Sequence, residues 1–550
     1  MKKRGGFFRN TLERHRNDFA FSIAVFLAAA CQYLLCGEYV FTLCGLKVPV
    51  TKWYSPSSAV AVLIALCILL PKVFNWKRLL ALLAAAAVIN QALFNGGLPG
   101  TGKAPPRKGT PGISVQAEAE KWNVFAVGVD SLRPDALGAY GATNFASVNI
   151  DFVASHGLVF DNAYSNAPAF LSSHSTFLTG LYPTVHGAAF PAMRRLPQSA
   201  VTLAEALAEA GFMTAAFVER GQLDSFFGTD QGFQVYDDTS SKLEETVEKT
   251  LSRLRESRDR RFFLLFHTSQ VLAPYNPPPP FHRKFSPGYR GRLGYVIGAD
   301  VLRAHNEGGN RLTPPDVRHV RALYDSEVAY TDHHLGRIFR YLRDTGMMGK
   351  TLLVLFSSHG AEFDEHGFIG GRPHALYEEL IRVPLIVHVP GLPPSVVKRR
   401  VSLVDAAPSI LRTLGLPPPP GMQGTPFLPD PALPGEEGGP VFAEKEPDRF
   451  PFQPGNTKCL IYRNYKFIRV TPSRGIYAHV NLLQKLVYFA RGRELYDLAK
   501  DPGEKSDLIL RLPEVGRRLE GMMNEKMNEN YRVMLRGKSP IKPGSKKARD

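Results

Sequence analysis

The chain has 550 residues and a formal net charge of +17, from 67 Lys and Arg against 50 Asp and Glu. That length leaves room for several domains and a large core, and excludes a small stapled module. Cys31, Cys36, Cys44 and Cys67 lie in or beside apolar segments and Cys459 stands alone further on, which excludes a disulfide framework and a thiolate metal cluster.

Residues 1–18 carry Lys2, Lys3, Arg4, Arg9, Arg14 and Arg16 and read as a basic cytoplasmic N-terminus. Three apolar segments follow, near Phe19–Tyr39, Ser57–Leu70 and Leu79–Leu93, of which the first reaches the ~20 residues that span a bilayer. Lys72, Lys77 and Arg78 separate the second from the third. Basic residues before the first segment and between the later two predict a three-span anchor over 19–95, with all that follows outside the cytoplasm. The competing reading is a cleaved signal peptide ending near Leu27-Ala28-Ala29-Ala30-Cys31; apolarity continuing through Tyr33, Leu34 and Leu35 favours the anchor. Glu38 sits where the first span meets water. Residues 96–121 form a Gly/Pro/Lys-rich linker.

Beyond the linker, short apolar runs at Val124–Val129, Met213–Val218, Phe262–His267, Thr351–Phe356 and Pro384–Val389 read as buried strands. Helical spacing appears between them at Thr202–Ala210 and Glu327–Thr345, and this alternation predicts an α/β layer architecture. Pro274–Pro280 and Leu416–Pro420 are loops. The pattern then shifts to strands at Lys458–Tyr462 and Tyr465–Val470 and a helix from Pro513. Residues 122–440 are thus expected to form a main subdomain, 441–530 a C-terminal one, and 531–550 a solvated basic tail.

Several landmarks recur in a fixed order: VFAVGVDSLRPDALGAYG, DNAYSNAPAFLSSHSTFLTGLYPTVHG, ALYEELIRVPLIV, VSLVDAAPSILRTLGLPPPPGMQG and ELYDLAKDPGEKSDL. Together they resemble the sulfatase family of the alkaline phosphatase-like superfamily. The resemblance implies an α/β fold with a central mixed, mostly parallel sheet and a smaller C-terminal subdomain. It also implies cleavage or transfer of a sulfate or phosphate ester: an activated oxygen attacks while a divalent cation and cationic side chains hold the developing charge.

The same resemblance carries roles to particular positions. Asp130 matches the first metal aspartate and Ser131 the second metal position. Ser358 and His359 match a later Asp-His pair, with Ser358 in place of the Asp. Counting back from Leu178-Thr179-Gly180 sets Phe170 at the nucleophile, where the family has Cys or Thr, and His174 at an Arg or His position. Leu272 replaces a leaving-group or anion-binding His, and Arg372 takes the place of a Lys or His that contacts the anion, with His374 as the other candidate. A phenyl ring cannot attack. Rescue by a neighbouring hydroxyl points to Ser173, with Ser172 and Ser175 as alternatives, although Ser173 lies about 4.5 Å along a helix from Phe170.

Calcium collects about six to eight oxygens, several anionic, and a single carboxylate leaves most of its charge uncompensated. No cation is therefore expected to bind tightly; Ca2+ or Mg2+ is expected if the site is active. Glu362, Asp364, Glu365 and His366 read as a solvated loop, and Glu444, Glu446 and Asp448 as surface charge.

The expected function is a membrane-anchored extracytoplasmic sulfatase-family protein, catalytically impaired and acting as a binding or assembly module at an anionic envelope surface. The alternative is an active hydrolase or transferase of sulfate or phosphate esters on envelope glycans or lipids. Expected partners are the membrane, an anionic envelope glycan or lipid, and other envelope proteins. Nucleic acid is excluded by the export of the basic domain.

Overall fold

A computed structural model describes residues 40–43, 46–49, 119, 121–189, 193–221, 223–370, 375–428, 438–445, 457–470 and 492–537. The three expected spans lie outside the described residues, as do Arg372 and His374. Among the described residues no helix is long and apolar enough to cross a membrane. In the N-terminal unit, β1 (Val40–Leu43) pairs antiparallel with β2 (Leu46–Pro49).

The second unit is built on β3 (Asn123–Val129), β4 (Leu158–Tyr164), β5 (Met213–Glu219), β6 (Val235–Ser240), β7 (Phe262–Thr268) and β8 (Thr351–Phe356). Outside the main sheet, β9 (Glu362–Phe363) and β10 (Ile369–Gly370) pair as a short ribbon. Adding β11 (Leu385–His388) and β12 (Ser395–Ser402) completes an eight-stranded sheet in the order β12-β4-β11-β8-β3-β7-β5-β6. Pairing is parallel except at β11, which runs antiparallel to both β4 and β8. The five apolar runs read from the sequence are all strands; β4, β6 and β12 were not anticipated. Their sequences, LVFDNAY, VYDDTS and SVVKRRVS, mix charge with apolar residues because β6 and β12 lie at the two edges and β4 is paired at one end only with β11.

Alternate residues of β3 enter opposite cores. Phe125, Val127 and Val129 pack with the long helix on one face, and Val124 and Ala126 pack under the helix that Phe170 opens on the other. The helices are α1 (Val148–Ala154), α2 (Phe170–Thr179), α3 (Pro183–His186), α4 (Leu203–Glu209), α5 (Leu243–Glu256), α6 (Ala299–Asn306), α7 (Pro314–Asp344), α8 (Glu378–Ile381) and α9 (Ala406–Thr413). Helix α7 begins thirteen residues before the expected Glu327, the difference between 327 and 314. The start signal is Thr313-Pro314-Pro315-Asp316, a capping box with Pro at the first helical position.

A second, antiparallel sheet joins β13 (Val441–Lys445), β14 (Thr457–Tyr462), β15 (Tyr465–Val470) and β16 (Arg493–Asp497) in sequence order. Helix α10 (Pro513–Gly537) lays Leu519 and Met523 on Phe442, Leu460, Phe467 and Leu495. It runs past residue 530, so the first part of the expected basic tail is helix. The surface-charge reading of Glu444 is also overturned. Glu444 is buried in β13, paired with the Lys458 ammonium, and accepts hydrogen bonds from the Thr184 backbone N–H and hydroxyl. Glu446 and Asp448 lie outside the described residues.

Candidate active site

Parallel strands β3, β7 and β8 end at one edge of the sheet, and their next residues converge there, where α/β sheets gather their sites. Asp130 follows β3, His267 stands near the end of β7, and Ser358 and His359 follow β8. Helix α2 brings His174 from above. His174 Nε2 lies 3.1 Å from Asp130 Oδ1, and His267 Nε2 lies 2.7 Å from Oδ2. The Ser358 hydroxyl donates a short hydrogen bond to Oδ1. All four side chains are buried. Asp130 is thus the hub of the cluster.

Burial alone would raise the Asp130 carboxyl, but the facing imidazoles of His267 and His174 outweigh it and hold it well below the usual carboxylate range. Burial depresses His174 despite the Asp130 contact. For His267, burial is outweighed by the Asp130 charge and hydrogen bond, and its proton affinity rises. Burial also lowers His359.

Ser131 adopts a left-handed backbone, with φ of 59°, which is unusual for a residue with a Cβ. Its hydroxyl is 3.4 Å from His359 Nδ1, while that nitrogen sits 2.7 Å from the Gly360 carbonyl. Donation to Gly360 fixes Nδ1 as the protonated nitrogen and leaves Nε2 as an acceptor. The half-buried Phe170 ring opens α2 beside it, with ring centroids 5.8 Å apart.

Two of the three expected rescue hydroxyls are engaged elsewhere. Ser173 donates to the Ala167 carbonyl at 2.9 Å and meets the Ser165 hydroxyl, and Ser172 donates to the Ala188 carbonyl at 3.0 Å. Ser175 is buried with its hydroxyl unpaired among the described residues. Gln270, two residues before Leu272, donates from Nε2 to Glu327 Oε2 at 2.8 Å. The site residue that sequence reasoning missed is His267. Its signal was present: an ionisable side chain ending the otherwise apolar strand FFLLFHT, on the edge where the other candidates gather.

The segment read as a solvated loop is built differently. Glu362 is buried, and His366 sits between Glu379 Oε1 at 2.6 Å and the Glu504 carbonyl at 3.2 Å, stacked on Tyr377. Both ring nitrogens face acceptors, and although burial opposes it, the Glu379 contact raises His366, as for a structural imidazolium.

A hard cation fits the central cluster poorly. The donors are one carboxylate, two imidazoles and hydroxyls, whereas calcium and magnesium select oxygen cages.

Residues 122–416 match the family model described as Sulfatase, and 364–532 match N-sulphoglucosamine sulphohydrolase, C-terminal. Among curated relatives, a Delta 4,5-hexuronate-2-O-sulfatase of Bacteroides thetaiotaomicron is 23% identical over 447 residues, covering 72% of this chain and 86% of that one. Arylsulfatase K of Bos taurus is 22% identical over 492 residues, covering 77% and 85%. In three dimensions, a phosphonate monoester hydrolase of Agrobacterium radiobacter superposes with a TM-score of 0.58 at 19% identity, covering 76% of this chain and 96% of that one.

Proposed function

Because the chain belongs to the sulfatase family, we propose that it is an extracytoplasmic, membrane-anchored member that binds an anionic ester-bearing ligand of the envelope without cleaving it. One observation carries this reading. The position from which attack should begin holds the Phe170 ring against His359, and the hydroxyls of Ser172 and Ser173 on the same helix are committed to backbone carbonyls. Loss of a nucleophile removes the covalent step while leaving the scaffold intact. The names of the relatives speak of sulfated sugars, so a sulfated or phosphorylated glycan is the ligand class proposed. Anchoring is proposed from the apolar segments within 19–95 and their flanking Lys and Arg.

The second reading is an active hydrolase or transferase, favoured by the buried carboxylate–imidazole cluster at Asp130. Turnover of aryl sulfate and aryl phosphate by the purified full chain separates the two. No turnover is expected, alongside retention on an immobilised sulfated glycan that is lost on its desulfated form. Turnover abolished by Asp130→Ala would establish the enzyme instead.

A further inference from the structure

The cluster at the ends of β3 and β7 has a chemistry of its own. One ligand atom from each of Asp130, His174 and His267 can be chosen so that all lie within 4.8 Å of one another, and all three side chains are buried. They come from three different elements of the core, so their meeting is fixed by packing and not by a flexible loop. About an ion with bonds of ~2.0–2.1 Å, tetrahedral donors stand roughly 3.3 Å apart. His174 Nε2 stands 3.1 Å from Asp130 Oδ1 and His267 Nε2 stands 2.7 Å from Oδ2, so the two imidazoles approach the two oxygens of one carboxylate at close to that spacing. Calcium, with bonds of ~2.3–2.6 Å and six to eight oxygens, needs a wider and more anionic cage. Imidazole donors select borderline transition metals.

We propose that Asp130, His174 and His267 form a binding site for a divalent transition cation of the zinc type, in place of a hard calcium-type ion. Both histidines turn Nε2 toward the carboxylate, and among the described residues neither Nδ1 has a hydrogen-bond partner. Without a cation each Nε2–H donates to the Asp130 carboxylate; a bound cation takes the place of those protons, and each ring then presents its Nε2 lone pair. The Ser358 hydroxyl beside Asp130 Oδ1 supplies the fourth donor. A dication against one carboxylate leaves a net positive site, which suits the docking of an anion. This inference stands apart from the reading of function, since it concerns the cation whether or not an ester is cleaved.

The test uses the purified full chain, stripped with chelator and re-equilibrated with zinc, cobalt or calcium. Metal content by mass spectrometry should reach one zinc per chain from this site, with zinc held ~100-fold or more tightly than calcium. His267→Gln and His174→Gln should each weaken zinc retention by at least about tenfold, with far-UV circular dichroism reporting that the fold persists. The cobalt-loaded wild type should show the intense visible absorption of four-coordinate cobalt, a readout that holds even where a variant does not fold. Preference for calcium, absence of bound metal, zinc retention unchanged in both histidine variants, or a weak six-coordinate cobalt spectrum each overturns the proposal. Ester turnover is scored separately, so failure here leaves the functional reading to its own assay.

Discussion

A Cβ built on Gly128 would stand 2.7 Å from Cε1 of His174. The backbone of β3 is bare at that point so that an imidazole from α2 can lie against it and reach Asp130, two residues further on. Gly128→Ala should push the ring aside and cost about 1–3 kcal/mol, the usual penalty for overpacking a dense core. Gly349→Ala, where a Cβ meets nothing within 4 Å, should change stability by less than about 0.5 kcal/mol. Thermal denaturation of the two variants checks the contrast.

Lys466 is fully buried between Glu378, at 3.0 Å, and Glu504, at 2.9 Å. Glu504 also accepts the backbone N–H of Glu378 at the start of α8, so this triad ties the C-terminal sheet to the main subdomain. Lys466→Met leaves two carboxylates without their cation and should destabilise by about 3–5 kcal/mol. Adding Glu504→Gln should recover part of that loss, read from urea unfolding midpoints.

Glu327 lies buried in α7, hydrogen-bonded by Gln270 and the Asn276 backbone N–H with no cation beside it among the described residues, and burial pushes its carboxyl up to about 7. The sign follows from linkage. Above the ordinary value of 4.5 the unfolded chain releases this proton while the folded chain keeps it, so stability falls as pH rises toward about 7 and is level beyond. Glu327→Gln should flatten that slope and raise stability above pH 7 by on the order of 1–3 kcal/mol, with Gln270 turning its amide to accept. Unfolding free energies measured across pH 5–8 test this.

Phe170→Thr places a hydroxyl at the family's nucleophile position, yet the replacement should not create a hydrolase. Leu272 still stands where a leaving-group imidazole is expected, and Ser358 still donates to Asp130. Aryl sulfate and aryl phosphate turnover should stay at the wild-type level; a gain of a hundredfold or more, the scale of one restored general acid–base or electrostatic contribution, would show that the rest of the machinery is intact.

Linear patterns carried much of this protein. Apolar runs such as NVFAVGV and TLLVLF declared themselves as strands because a strand buried on both faces has no polar side to show, and Asp130 and His359 stood just past their ends. Counting from Leu178-Thr179-Gly180 led to Phe170, the residue that opens α2 beside His359. The edge strand β12 was not legible, because solvent on one side puts Lys398, Arg399 and Arg400 into it. Nor was the burial of Glu444, whose partner Lys458 is a cross-strand neighbour reached only when β13 pairs with β14.

The chain by itself determined the layer architecture, the family resemblance and the absence of an attacking atom at position 170, since each of these is written in local spacing. Tertiary structure alone decided that Asp130 meets His174 and His267, residues 44 and 137 positions away, and that Ser173 turns from the cleft. Parallel strands joined through helices bring distant residues to one sheet edge, and no local pattern encodes which side chains will face one another there.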